Sequence, residues 1–278
     1  MANATGRQED YDKYSQRASN WKNLFKEDHR SMGFTNFPQP RHANGTWSFQ
    51  NATVCSALND FDGCYLDFGG KETYEGSPWL YQFYVPGDVA GLISLLGGRE
   101  SFVKRLDTLH ESGVLDMGDE QAFLTAFLYH YARRPALSVD RIHSYIPSLF
   151  NDTLAGIPGN DDSGSMGTFV VFSMLGIFPN AGQSVYFIVP PFFPSVAITN
   201  PQTGKTATIR NVNFDSRYKR RYVQSAKLDG KPYTKNWVSH DFFTNGGQLE
   251  LVLGDKESDW GTREEDVPPS LSAGLFLG

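Results

Sequence analysis

The 278-residue chain is poor in the features from which several kinds of site are built. No HExxH, CxxC, GxSxG or Walker loop occurs, so zinc hydrolysis, thiol redox work, α/β-hydrolase chemistry and P-loop phosphoryl transfer all lose support. No basic cluster exceeds Lys219-Arg220-Arg221, and 25 Lys plus Arg against 31 Asp plus Glu give a net charge of −6. That balance disfavours a nucleic-acid partner or an anionic membrane surface. Apolar runs such as Val185 to Pro194 are broken by proline, far short of the ~20 residues that a membrane-spanning helix needs. The first residues, Met1 to Gln8, hold no apolar stretch, so no signal peptide is visible. There are two cysteines, Cys55 and Cys64. They can close one small loop in an oxidising compartment or stay reduced in the cytosol.

What is present is a globular composition, 40% hydrophobic and 20% charged, with 14% aromatics, enough to bury a sizeable core. Four glycosylation sequons begin at Asn3, Asn44, Asn51 and Asn151. Sequons also arise by chance, but with the close cysteine pair they favour the secretory pathway or secretion over the cytoplasm.

Periodicity divides the chain. Tyr11, Tyr14, Ala18, Trp21 and Phe25 recur at three- and four-residue steps, which predicts one helix from Asp10 to Phe25. A long loop layer is expected from Met32 to Lys71. Asp88 is placed to cap a helix with Val89, Leu92, Leu95 and Leu96 on its stripe, stopped by Gly97-Gly98. Further helices are expected from about Glu100 to His110, through Phe123, Phe127 and Tyr131, after Val139, and from Ser163 to Gly176. Beyond Pro179 the period becomes two, with strands at 185–189, 195–199, 206–209, 222–228 and 248–253. The expected fold class is mainly α with a C-terminal β module: part of an (α/α)6 toroid over 1–179, a small antiparallel sheet packed on it over 180–262, and a tail over 263–278.

Acetal hydrolysis needs carboxyl groups in contrasting environments, and three loops supply them. Glu75 lies among the aromatics Tyr74, Trp79 and Tyr81, surroundings that can desolvate a carboxyl group and suit it to general acid work. The bland alternative is a solvated loop glutamate. Asp161 and Asp162 precede a helix, whose amides hold a carboxylate ionised as a base requires. Simple capping is the alternative, for one of them at least. Asp119 and Glu120 are either a cap with a first-turn acid or two hard oxygen ligands for Ca²⁺. A calcium-dependent phosphoesterase is a weaker use of the same acidic loops.

These strings occur in a family's order. Tyr74-Glu75-Gly76-Ser77-Pro78-Trp79-Leu80-Tyr81, then Tyr84 to Val89, Leu95 to Gly98, Gly156 to Gly164 with Met166, and Trp237-Val238-Ser239-His240 resemble glycoside hydrolase family 92. Trp21 to Phe25 and Asn44 to Trp47 resemble the family's preceding helix and loop, so the likeness runs from about Trp21 to Trp260. The resemblance implies a calcium-dependent, inverting exo-α-mannosidase acting on a mannose-containing glycan. It makes Glu75 the general acid, Asp161 or Asp162 the base (Asp162 preferred), Glu120 with Asp119 metal ligands, and Trp79, Tyr81 and Asn160 substrate-binding residues. Two departures stand out. Asp119-Glu120-Gln121-Ala122-Phe123-Leu124 replaces the family's usual Asn-Glu-Pro and Ser-His-His, and the family's N-terminal β-sandwich and first toroid helices are missing from this chain. The alternative function is therefore an inactive fragment that binds a glycan or a partner.

Overall fold

The computed structural model describes residues 2–59 and 73–273. The chain divides into two compact units, Met1–Thr125 with Ser270–Gly278, and Ala126–Pro269.

In the first unit, helix α1 (Gln8–Arg17) ends well before Phe25. A 3-10 turn at Asn20–Leu24 follows, and strands β1 (Phe25–Ser31) and β2 (Phe34–Pro38) form an antiparallel hairpin. The single long helix expected from Asp10 is thus cut short, and part of the expected loop layer is a strand. The hairpin is closed by Met32 and Gly33, both at positive φ, as a tight two-residue connection requires. Helix α2 (Pro78–Tyr81) starts where Ser77 accepts from the Leu80 amide and Pro78 occupies the first turn. Helix α3 (Val89–Leu95) is capped by Asp88 as expected, and α4 (Arg99–Glu111) follows it. Asp88 is buried and also accepts hydrogen bonds from Ser270 Oγ at 3.2 Å, Ser272 N at 2.9 Å and Ser272 Oγ at 2.8 Å. The polar residues near the C-terminus are thereby packed into this unit.

The core beneath α2 is aromatic. Trp79 is fully buried, donates to Ser31 Oγ at 2.9 Å and meets Phe34 and Phe37 edge-on at centroid distances of 5.6 and 5.0 Å. Arg105, also buried, donates to the carbonyls of Thr35 and Asn36 and lies over the Phe37 ring. Burial pulls its pKa down to about 10.

The segment Glu120–His130 is a 3-10 helix rather than the α-helix expected there, although its apolar residues are buried as expected. In the second unit, α5 (Pro135–Leu149) and α6 (Ser165–Leu175) precede the sheets. Strands β3 (Ile177–Pro179), β4 (Tyr186–Ile188) and β9 (Trp237–Val238) make one sheet. Strands β5 (Ser195–Thr199), β6 (Thr206–Val212), β7 (Tyr222–Leu228), β8 (Lys231–Tyr233) and β10 (Gln248–Gly254) make a second, in the order β5-β6-β10-β7-β8. Leu249, Leu251 and Leu253 of β10 face inward onto Ala207, Ile209 and Val223, each leucine worth about 1.5–3 kcal/mol of burial.

Two expectations fail here. The protein is not mainly α, because ten strands in three sheets stand beside the helices among the described residues. Nor is the larger C-terminal sheet antiparallel throughout, since β10 runs parallel to β6. The short helix α7 (Asp241–Asn245) precedes β10 and ends at Gly246, at positive φ. A crossover of that kind is what a parallel neighbour needs.

Candidate active site

Glu75 sits at φ +62°, in the left-handed region, at the end of the loop that leads into α2. Its partly exposed carboxylate accepts from Gln121 Nε2 at 3.5 Å. The same amide donates to the Tyr81 hydroxyl at 3.2 Å, and that hydroxyl donates to the Tyr74 carbonyl at 2.5 Å. One chain of hydrogen bonds therefore ties the carboxylate to two aromatics expected beside it. Burial is the main cause that pushes the Tyr81 hydroxyl above its ordinary pKa, and the nearby charges of Glu75 and Asp119 add to it. Gln121 is the residue that sequence reasoning missed: it entered only as a departure from the family pattern, and nothing in its spacing foretells a contact with Glu75.

Beside this cluster opens a cleft of about 640 Å³ whose lining includes Trp21, Arg41, His42, Tyr74, Tyr81 and Tyr84. Aromatic faces with a few polar groups suit a ligand with both apolar and hydroxyl-bearing surfaces. Trp79 stands elsewhere, wholly within the core under α2, so in this structure it supports the loop and presents no surface to a substrate.

Asp119 is buried and Glu120 is partly exposed at the start of the 3-10 segment. Calcium takes about 6–8 oxygen ligands, and no group of three His, Cys, Asp or Glu side chains gathers among the described residues. The described residues alone do not form a calcium cage.

In the second unit, Asp161 and Asp162 play different local roles. Asp161 Oδ1 accepts from the Gly167 amide at 3.0 Å, and its carbonyl accepts from Ser165 N at 2.7 Å, so it caps the first turn of α6. Asp162, at φ +21°, is exposed, and its carboxylate makes no hydrogen bond with a described residue. Asn160 is exposed beside it. Cys55 is disulfide-bonded, which favours the oxidised alternative; Cys64 lies outside the described residues.

No helix among the described residues is long and apolar enough to cross a membrane. Residues 1–255 match the model of the glycosyl hydrolase family 92 catalytic domain. A protein described as an uncharacterized secreted glycosidase from Arthroderma benhamiae is 58% identical over 272 residues, covering 96% of this chain and 35% of that protein. The fold is similar to that of a family GH92 α-mannosidase from Bacteroides thetaiotaomicron, with a TM-score of 0.83, 26% identity and coverage of 97% of this chain and 34% of that one. An inverting mannosidase of the same family from Bacteroides thetaiotaomicron VPI-5482 gives a TM-score of 0.83 at 26% identity, with 98% and 37% covered. The chain thus spans about a third of the length of these relatives.

Proposed function

The chain belongs to glycosyl hydrolase family 92, and from that premise we propose that it carries the catalytic carboxyl groups of an inverting exo-α-mannosidase acting on terminal α-linked mannose in glycans. The observation that carries this reading is the Glu75 carboxylate, fixed by Gln121 and Tyr81 beside an aromatic cleft.

Glu75 is the general acid. In its protonated form it donates to the glycosidic oxygen as the C1–O bond breaks, so that the leaving sugar departs as a neutral alcohol. The general base is Asp162. It removes a proton from the water that attacks C1 from the opposite face, which inverts the anomeric centre. Asp161 is engaged in capping α6, and this is why Asp162, with its carboxylate unengaged, is the better base. Tyr81 lines the cleft and orients Gln121, while Asn160 is available to sugar hydroxyls. Calcium enters only as an ion that Asp119 and Glu120 would share with ligands from elsewhere, the substrate among them.

The relative from Arthroderma benhamiae is described as secreted, and the same route through the secretory pathway is part of this reading. Mannose release from an α-mannoside, measured with and without a calcium chelator and again in Glu75→Gln, tests it. Loss in Glu75→Gln is expected, and turnover unaffected by both treatments would refute the mechanism. A second reading is a chain that binds glycan without cleaving it. Binding of mannoside without turnover by this chain, with turnover restored by the N-terminal portion of a longer relative, would support that one.

A further inference from the structure

Three Asn-x-Thr triplets share one local geometry. The Asn44 carboxamide oxygen accepts from the Thr46 amide at 3.0 Å and the Thr46 hydroxyl at 2.7 Å. At Asn51 the corresponding distances to Thr53 are 3.0 and 3.0 Å, and at Asn151 those to Thr153 are 3.0 and 2.5 Å. A backbone N–H can only donate, so the side-chain atom facing it is the oxygen, and the carboxamide nitrogen points the other way. In all three asparagines that nitrogen makes no hydrogen bond with a described residue, and all three residues are exposed. The bonds span two residues. They are local, and a chain that has not yet folded can form them too. Asn3-Ala4-Thr5 is different: Asn3 lies in a 3-10 turn, and the Thr5 hydroxyl donates to the Ala2 carbonyl at 3.1 Å.

We propose that Asn44, Asn51 and Asn151 are N-glycosylation sites and that Asn3 is not. The co-reactant is a lipid-diphosphate-linked oligosaccharide. The carboxamide nitrogen forms a bond to C1 of its first sugar, the C1–O bond to the diphosphate breaks with its electron pair, and the nitrogen loses one proton. With the oxygen held by the threonine, substitution falls on nitrogen. Because each asparagine is exposed, the attached glycan displaces no core group. Asn44 and Asn51 closely follow His42 and Gln50, which line the cleft beside Glu75. This inference does not depend on the mannosidase reading, and an inactive chain is modified in the same way.

The test is expression behind a secretory leader in a eukaryotic host, with the chain recovered from the microsomal fraction whether or not it is exported. Peptide N-glycanase should abolish a mobility shift and leave aspartate at positions 44, 51 and 151, read by peptide mass. Asn44→Gln, Asn51→Gln and Asn151→Gln should each remove one step of the shift, as should Thr46→Ala, Thr53→Ala and Thr153→Ala. The triple asparagine variant should show none, and Asn3→Gln should leave the full shift. Unmodified asparagine at 44, 51 and 151 in the lumenal chain, or a shift removed by Asn3→Gln alone, overturns the proposal.

Discussion

Replacing Asp88 with alanine should destabilise the first unit by about 3 kcal/mol, a value built from the loss of a helix cap and of buried bonds to a charged acceptor. The carboxylate is buried and accepts from Gly91 N at 3.2 Å, Ser270 Oγ at 3.2 Å, Ser272 N at 2.9 Å and Ser272 Oγ at 2.8 Å. Lys22 Nζ, 4.0 Å away and half exposed, adds little, as exposed partners do. Losing the cap of α3 alone costs about 1 kcal/mol. Leaving the buried Ser270 hydroxyl without its acceptor, and turning the exposed Ser272 donors over to water, adds about 1–3 kcal/mol. Gly91 is part of the arrangement, because a Cβ there would stand 2.4 Å from Asp88 Oδ2. At roughly 2–4 °C per kcal/mol for a chain of this order of size, the melting temperature should fall by about 6–12 °C. Calorimetry reads that shift, and a cycle with Ser272→Ala should show a coupling of about 0.5–3 kcal/mol. A fall below about 2 °C, or strict additivity with Ser272→Ala, would refute the reasoning.

Acid should weaken the second unit through two histidines. Burial holds His130 and His143 at about 4, down from 6.5, so both stay neutral where an unfolded chain would take up protons. Their contribution is full above pH ~6.5 and is lost as the pH falls toward 4. His130 donates from Nε2 to the Ile188 carbonyl at 2.9 Å, which leaves Nδ1 to accept from Ser138 Oγ at 3.0 Å. His143 stacks on Phe192 at 4.4 Å, and His143→Phe should flatten part of the loss in urea midpoint between pH 7 and pH 5. Gly176→Ala should cost more than about 2 kcal/mol by urea denaturation, since φ is +81° and a Cβ would meet the Val189 carbonyl and Pro191 at 2.5 Å. Trp79→Ala should cost about 3–5 kcal/mol in the same assay, because the ring is fully buried and hydrogen-bonded to Ser31.

Local chemistry made several elements legible in the sequence. Asp88 caps α3 and Gly176 stops α6 at positive φ. Strands β5 and β7 have the bounds that period two predicts. What failed depends on distant partners or on periods too close to separate. Phe25–Ser31 carries five charged or titrating residues in a row, Lys26 to Arg30, in the middle of a strand, so its alternation is hidden. Over the eleven residues of Glu120–His130, repeats of 3.0 and 3.6 residues place nearly the same side chains inward. The parallel pairing of β10 with β6 is set by a crossover and has no signature in either strand. At the site, the aromatics around Glu75 were legible from adjacency. Gln121 was not, because its contact spans 46 residues. The burial of Trp79 was hidden for the same reason, since the β1–β2 hairpin beneath it was not foreseen.

The most direct test of the central claim is the anomer first released. Proton NMR of an α-mannoside digest, recorded faster than mutarotation, should show β-mannose as the initial product, formed by the wild-type protein and lost in both Glu75→Gln and Asp162→Asn. Initial release of α-mannose, or β-mannose formed undiminished by Glu75→Gln, would contradict the account.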